Sequence, residues 1–392
     1  MRTPDEALEA LRATPCGARL LATLGPDEGA WLVGGAVRDL LLGHTPRELD
    51  LAVEGPVERV ARRLAGPQGE VLVHERFGTA TAHRDGCAFD LASARRERYA
   101  APGALPDVQS ATLQEDLGRR DFAINAIALA LDGELAAVPG ALEDLDAGRL
   151  RVLHDASFLD DPTRVWRLAR YAARLGFAPD PETAALAARA DPATVSGARH
   201  GNELRLTLRE SGPVATEALT RIAGLGHGWL PPGFDPRPSG LADACALLPA
   251  GARTDVLILA ACTVRMDLRA LLAWLDTLGF RAQERDTVAA ASRESTWRPL
   301  RAARTPSEIA RAARGAPLEA VALAGGDNAR RWLDELRHVA LEISGADLVA
   351  AGVPQGPELG RALARALEAK LDGLATGREA ELAAALAGDP TP

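Results

Sequence analysis

The chain has 392 residues, 47% hydrophobic and 25% charged, enough for two or three cores at roughly 150 residues per domain. A net charge of −9 excludes a surface that is basic throughout, as a general nucleic-acid coat would be, but leaves room for a local arginine patch. No apolar run reaches the roughly 18 residues of a membrane span, and the start, MRTPDEALEALRATP, lacks the apolar core of a secretory signal, which points to a cytoplasmic protein.

In chain order, WLVGG (31–35) reads as a short strand ending in a glycine turn, AVRDLLLG as a helix, LDLAVEG as a strand, VERVARRLA as a helix and EVLVHE as a strand. GTATAHRDGCAFDLAS, 78–93, reads as two strands joined at Asp85-Gly86. LQEDLGRRDFAINAIALAL, 113–131, reads as an amphipathic helix. Residues 1–145 therefore form an α/β domain with a mixed sheet. From residue 150 onward the pattern is helical, with Pro and Gly punctuation at 176–181, 212–213, 231–240 and 353–357. HGWLPPGFDPRPSG, 227–240, is a linker or ordered loop between helical parts, and the AGDPTP tail is expected to fray.

Cys16, Cys87, Cys245 and Cys262 show no CxxC spacing, so reduced thiols are expected, with neither a zinc site nor disulfides. Lys370 is the single lysine. Arginine supplies every other basic side chain, and guanidinium suits phosphate.

Glu48 and Asp50 differ by two, so on a strand their side chains leave one face. Two carboxylates held that close repel unless a cation lies between them. Asp90, brought back by the turn at Asp85-Gly86, is the candidate third acid, and Mg²⁺ suits such oxygen ligands. Upstream, Gly34 and Gly35 end the first strand, where bare backbone and the following helix N-terminus can meet a phosphate. Arg119 and Arg120 supply further phosphate donors, while Asp121 and Asn125, at i and i+4, can hold the hydroxyls of a ribose.

Within SFLDDPTRVWRLARYAARLGF, 157–177, Asp161, Arg164 and Arg167 fall three apart on one helical face. An Asp beside an Arg accepts from an exocyclic amine and donates to the adjacent ring acceptor. Cytosine and adenine present that edge, whereas uracil and guanine present the reverse. Such a site takes CTP and ATP.

The ordered motifs GGAVRD, ELDLA, FDLASARRE, LQEDLGRRDFAINAIA, DDPTRVWRLARYAARLGF and VSGARHGNELRL together resemble the class II tRNA nucleotidyltransferase and poly(A) polymerase family, over roughly residues 28–210. The resemblance implies an α+β fold: a polymerase-beta-like nucleotidyltransferase head (1–145), a helical neck bearing a base template (146–225) and a helical body and tail that bind tRNA (226–392). It implies that Glu48 and Asp50 hold the metal, with Asp90 as the third catalytic carboxylate. Gly34, Gly35, Arg38 and Asp39 then belong to the nucleotide site, together with Arg119, Arg120, Asp121 and Asn125. By the same resemblance Asp161, Arg164 and Arg167 face the nucleotide, and Ser196, Arg199 and Glu203 brace the template. The chain departs from the family pattern in having Glu48 for Asp, Asp160 for Glu and Ala123 for Thr.

The implied reaction is attack of a tRNA 3′-hydroxyl on the α-phosphorus of ATP or CTP with release of pyrophosphate, assisted by Mg²⁺. The residues leave open complete CCA addition, CC or A addition alone (the last with a separate CC-adding partner), poly(A) synthesis, and an RNA-binding homologue without catalysis. The segment 95–115, which varies with these activities in the family, is not obviously truncated, which counts against a CC-only enzyme. The arginine-rich segment 293–315, with Trp297, is the candidate RNA patch.

Overall fold

The computed structural model describes residues 1–25, 28–74, 78–226 and 228–387. They fall into two compact units, 1–200 with 224–229, and 201–223 with residues from 230 onward. The first unit opens with α1 (Pro4–Arg12) and α2 (Pro15–Thr23), each started by a threonine cap and a proline in the first turn. There follow β1 (Ala30–Val33), α3 (Gly35–Leu41), β2 (Asp50–Val53), α4 (Val57–Ala65), β3 (Glu70–His74), β4 (Thr79–Arg84) and β5 (Cys87–Ser93). The chain continues through β6 (Arg95–Arg98), β7 (Asp107–Ser110), α5 (Leu113–Gly118), β8 (Ile127–Ala130), β9 (Leu135–Ala137) and α6 (Ala141–Asp146). After the two-residue strands β10 (Arg149–Leu150) and β11 (Ala178–Pro179), which pair in parallel, the unit is helical: α7 (Ser157–Asp160), α8 (Arg164–Leu175), α9 (Pro181–Ala187) and the start of α10 (Gly197–Leu208).

Seven strands form one mixed sheet in the order β3-β4-β5-β2-β1-β8-β9. Leu32 of β1 lies opposite Leu51 of β2 on one side and Leu129 of β8 on the other, so the apolar runs meet at the centre. The β4–β5 turn is the expected one: Asp85 and Gly86 both have positive φ, 46° and 78°, as a type I′ hairpin requires.

Four expectations are corrected. Residues 113–131 are not one helix: α5 stops, a single 3₁₀ turn spans Ala123–Asn125, and IALA is the fully buried strand β8. A short apolar run reads alike as buried strand or helix, and here pairing to β1 and β9 decides. Asp161 does not share a helical face with Arg164 and Arg167. Pro162 forces the residue before it into extended backbone, so Asp161 sits at φ −137° between α7 and α8. Glu48 precedes rather than joins the strand, on an exposed bend two residues before β2 begins at Asp50. Cys16 and Cys87 are joined by a disulfide with Cα atoms 5.4 Å apart. Their separation of 71 residues offers no spacing signal, and only the packing of α2 against β5 brings them together. Cys245 and Cys262 are free thiols, as expected.

The second unit is helical, from the helix Gly212–Gly224 to the helix Arg378–Leu386. One core cluster gathers Leu300, Ile309, Val321 and Leu333, and another Ile343, Leu348, Ala362 and Ala385. Among the described residues no helix is long and apolar enough to cross a membrane. The stretch 228–240 is irregular but anchored, Trp229 edge-on to His200 in the first unit and Phe234 edge-on to Trp274 in the second. His227 and residues 388–392 of the tail lie outside the described residues.

Closing a loop of this length constrains the unfolded chain, so replacing Cys16 and Cys87 by Ser should cost about 2–4 kcal/mol. Thermal melts should show the wild type losing stability on reduction and the double variant indifferent to reductant.

Candidate active site

β2 and β5 run parallel with Asp50 and Asp90 as register partners, which puts two carboxylates on adjacent strands about 4.8 Å apart in backbone spacing. The Asp90 N–H donates to Leu49 O at 3.2 Å, and its Oδ1 accepts from Thr81 Oγ1 at 2.7 Å. Burial, with the charges of Glu48 and Asp90, pushes the Asp50 carboxyl up to about 6, against the opposing pull of Arg120 and Arg167. Among the described residues no three His, Cys, Asp or Glu side chains converge closely enough to hold a metal as they stand. The chemistry of the donor set nevertheless fits a hard divalent cation: oxygen ligands only, and a negative charge that Arg120 and Arg167 do not offset.

Gly34 caps α3 with φ +65°, and a Cβ there would lie 2.8 Å from Arg120 Nη1. Glycine at this position thus admits the guanidinium. Arg120 donates from Nη2 to Asp116 Oδ2 at 2.8 Å, while its buried Nε has no hydrogen-bond partner among the described residues. Gly35 opens α3 without such crowding. Arg119 instead anchors the β6–β7 hairpin, donating to Arg95 O, to Asp116 and to Glu97 Oε1 at 2.8 Å.

Arg38, Asp39, Asp121 and Asn125 are all buried. Asp121 Oδ1 accepts from Asn125 Nδ2 and from the Phe122 N–H, both at 2.9 Å, and Oδ2 accepts from Arg167 Nε at 2.7 Å. Burial raises the Asp121 carboxyl, but the Arg167 charge and the Asn125 hydrogen bond outweigh it and bring it to about 2.

Around the expected template, Asp161 Oδ1 accepts from Arg199 Nη2 at 2.8 Å, the Thr163 N–H at 2.9 Å and Thr163 Oγ1 at 2.5 Å. All three bonds fall on one oxygen and leave Oδ2 for another donor. Arg164 is buried, donating to Ser157 Oγ at 2.6 Å and to Arg119 O at 2.9 Å. Arg199 also donates to Gly103 O, in the β6–β7 connection, at 2.8 Å. Ser196 lies just before α10, its carbonyl accepting from the N–H groups of Arg199 and His200. Glu203, further along α10, belongs to the second unit.

Sequence reasoning missed Thr81, Tyr171 and Arg174, which act through tertiary contacts, and Thr163, which bonds Asp161 locally; the regular spacing of Arg167 and Arg174 on α8 was the one available signal. In the second unit several arginines of 293–315 are used internally. Arg301 donates to Ala324 O and Leu323 O with its guanidinium 4.2 Å from the Trp297 ring centroid, and Arg311 pairs with Glu368. Arg298, Arg304 and Arg314 are exposed.

The mixed sheet with its paired carboxylates lies within a segment that resembles a known family. Residues 30–151 match the family model of the poly A polymerase head domain. The matched segment contains Glu48, Asp50, Asp90 and Asp121, whereas Asp161 and Glu203 lie beyond it. An A-adding tRNA nucleotidyltransferase of Geobacter sulfurreducens is 35% identical over 398 aligned residues, covering 90% of this chain and 44% of that protein. A CC-adding tRNA nucleotidyltransferase of Deinococcus radiodurans is 42% identical over 243 residues, 57% of this chain and 64% of that protein. The chain thus spans less than two thirds of the length of these curated relatives. A Thermotoga maritima CCA-adding enzyme solved with tRNA has a similar fold, with a TM-score of 0.72 at 26% identity over 98% of each chain. The architecture expected from the sequence, a mixed-sheet head followed by helices, is the one observed.

Because the Asp50 value is raised on folding, its neutral form stabilises the fold at low pH, and that contribution is lost as the pH rises through about 6. Asp50→Asn cannot ionise and should gain stability over the wild type near pH 8 but not near pH 4.5, in thermal melts without divalent metal. An equal gain at both values would mean that Asp50 is not the strained group.

Proposed function

We propose that the chain is a template-independent tRNA nucleotidyltransferase that adds nucleotides of the 3′-terminal CCA from CTP and ATP. The observation that carries this reading is the register pairing of Asp50 with Asp90, with Glu48 close enough to raise Asp50, inside the segment that matches the poly A polymerase head domain. In this reading residues 1–145 catalyse, 146–225 present the base template, and 226–392 hold tRNA. The names of the relatives support tRNA as the acceptor over general poly(A) synthesis, and they include A-adding, CC-adding and CCA-adding enzymes.

Glu48, Asp50 and Asp90 would hold Mg²⁺, which when bound makes a 3′-hydroxyl more acidic and offsets the charge of a triphosphate. Arg120, with its spare buried Nε–H beside Gly34, donates to phosphate oxygens. Asp121 and Asn125 line the sugar. Asp161 turns its unoccupied Oδ2 to the exocyclic amine of cytosine or adenine while Arg199 and Thr163 hold Oδ1, and Arg164 donates to the neighbouring ring acceptor. The separation of Asp161 from α8 by Pro162 suits this division, since the acid is aimed by Arg199 instead of being paired along a helix with Arg164.

The test is incubation with Mg²⁺, ATP, CTP or both, and tRNA transcripts ending before CCA, after C and after CC, with products resolved at single-nucleotide length. Extension of all three to CCA means a complete enzyme. One A added only to the CC-ended transcript means an A-adding enzyme that works with a separate CC-adding one. No extension of any overturns the reading and leaves an RNA-binding homologue. Asp50→Ala and Asp90→Ala should each lower incorporation at least about a thousandfold without unfolding the protein. Asp161→Ala should leave some incorporation but admit UTP and GTP; unchanged selectivity would remove Asp161 from base recognition.

A further inference from the structure

Six buried or half-buried side chains close a ring of hydrogen bonds that begins and ends on α8. Arg174 Nη2 donates to Asp39 Oδ2 at 2.8 Å, across 135 residues of sequence. Asp39 Oδ1 accepts from Arg38 Nε at 2.9 Å and Nη2 at 2.7 Å. Arg38 Nη1 donates to Asn125 Oδ1 at 2.7 Å, and Asn125 Nδ2 donates to Asp121 Oδ1 at 2.9 Å. Asp121 Oδ2 accepts from Arg167 Nε, which returns the ring to α8 seven residues before its start. Tyr171 lies on the same helix between the two arginines, its ring centroid 5.1 Å from the Arg38 guanidinium carbon and its hydroxyl accepting from Arg167 Nη2 at 3.3 Å.

The ring determines which way the Asn125 amide points. Guanidinium has no acceptor and carboxylate no donor, so Asn125 must turn Oδ1 to Arg38 and Nδ2 to Asp121. Arg38 takes its position from Asp39, and the second oxygen of Asp39 is satisfied by Arg174. At 2–6% exposure for Arg38, Asp39, Asn125 and Asp121, water cannot readily replace a lost partner. A break at Arg174 therefore leaves a buried carboxylate short of a donor and frees Arg38 to move, and with it the Asn125 amide.

We propose that Arg174, which donates to Asp39, is a positioning residue for sugar recognition: through Asp39 and Arg38 it orients Asn125 and Asp121 toward the ribose hydroxyls. This rests on the reading of Asp121 and Asn125 as the pair that lines the sugar. It gives the neck helix α8 a role in choosing ribose over deoxyribose that is separate from the base-reading role of Asp161.

The test compares ATP with 2′-deoxy-ATP, and CTP with 2′-deoxy-CTP, in equilibrium binding and in single-nucleotide addition to tRNA, for the wild type, Arg174→Ala and Arg174→Lys. Loss of one buried charged hydrogen bond corresponds to about tenfold. Arg174→Ala should therefore lose about that much of the preference for ribose, with KM for tRNA unchanged, and Arg174→Lys should recover most of it. A folded Arg174→Ala with wild-type preference overturns the inference, as does a wild type with no preference. Should Arg174→Ala not fold, Asp39→Asn, of the same shape, must show the loss in its place; unchanged preference there overturns the inference equally. Binding separates the two readings, because a wild type that prefers ATP in binding yet extends no transcript overturns the transferase reading and supports the ring.

Discussion

The parallel pairing of β2 with β5 is the constraint from which the candidate site follows. It sets Asp50 beside Asp90 at one register, with Glu48 on the approach to the strand. The sheet accepts this because its centre is otherwise apolar, Leu51 and Leu91 following the two acids in the same register. The cost appears in the raised value of Asp50, and Arg120 and Arg167 offset only part of it. A pair of acids held in this way by backbone pairing cannot relax by moving apart, which is the condition under which a cation or a proton is drawn in.

Around that pair the remaining charges are arranged so that few are free to wander. Arg119 is committed to the base of the β6–β7 hairpin, Arg164 to Ser157 and a backbone carbonyl, and Arg38 to Asp39 and Asn125. Arg120 differs in keeping a buried N–H without a partner among the described residues. Buried arginines bonded on several sides fix geometry more than they add stability, because each was desolvated to reach its place. The site is thus a rigid frame of paired charges around a small number of uncommitted polar atoms, which suits a reaction that depends on positioning and charge neutralisation.

One glycine and one proline of the first unit act at single points. Gly34 combines a positive φ with the approach of Arg120, so a side chain there meets both strain and a clash. Pro162 separates Asp161 from the helix that follows it, and this break lets Arg199, on another helix, hold the carboxylate.

Much of this was legible in the residues themselves. The order of strands and helices over residues 31–93, the hairpin at Asp85-Gly86 and the helical remainder follow from local periodicity and turn chemistry, which act within a few residues. Asp50 and Asp90 were legible as neighbouring strand acids, but parity also placed Glu48 on a strand that begins only at Asp50. The misread places are those where distant partners decide. IALA became a strand because β1 and β9 flank it, Cys16 met Cys87 because α2 lies on β5, and Asp161 found Arg199 across a turn that Pro162 imposes. Arg174 and Asp39 stand 135 residues apart, beyond any local pattern. The sequence by itself determined the chemistry available, the carboxylates, guanidiniums and glycine turns and their order along the chain. Only the tertiary structure decided which carboxylate each guanidinium holds and which polar atoms remain uncommitted, because hydrogen bonding in a desolvated site is settled by three-dimensional proximity and not by spacing along the chain.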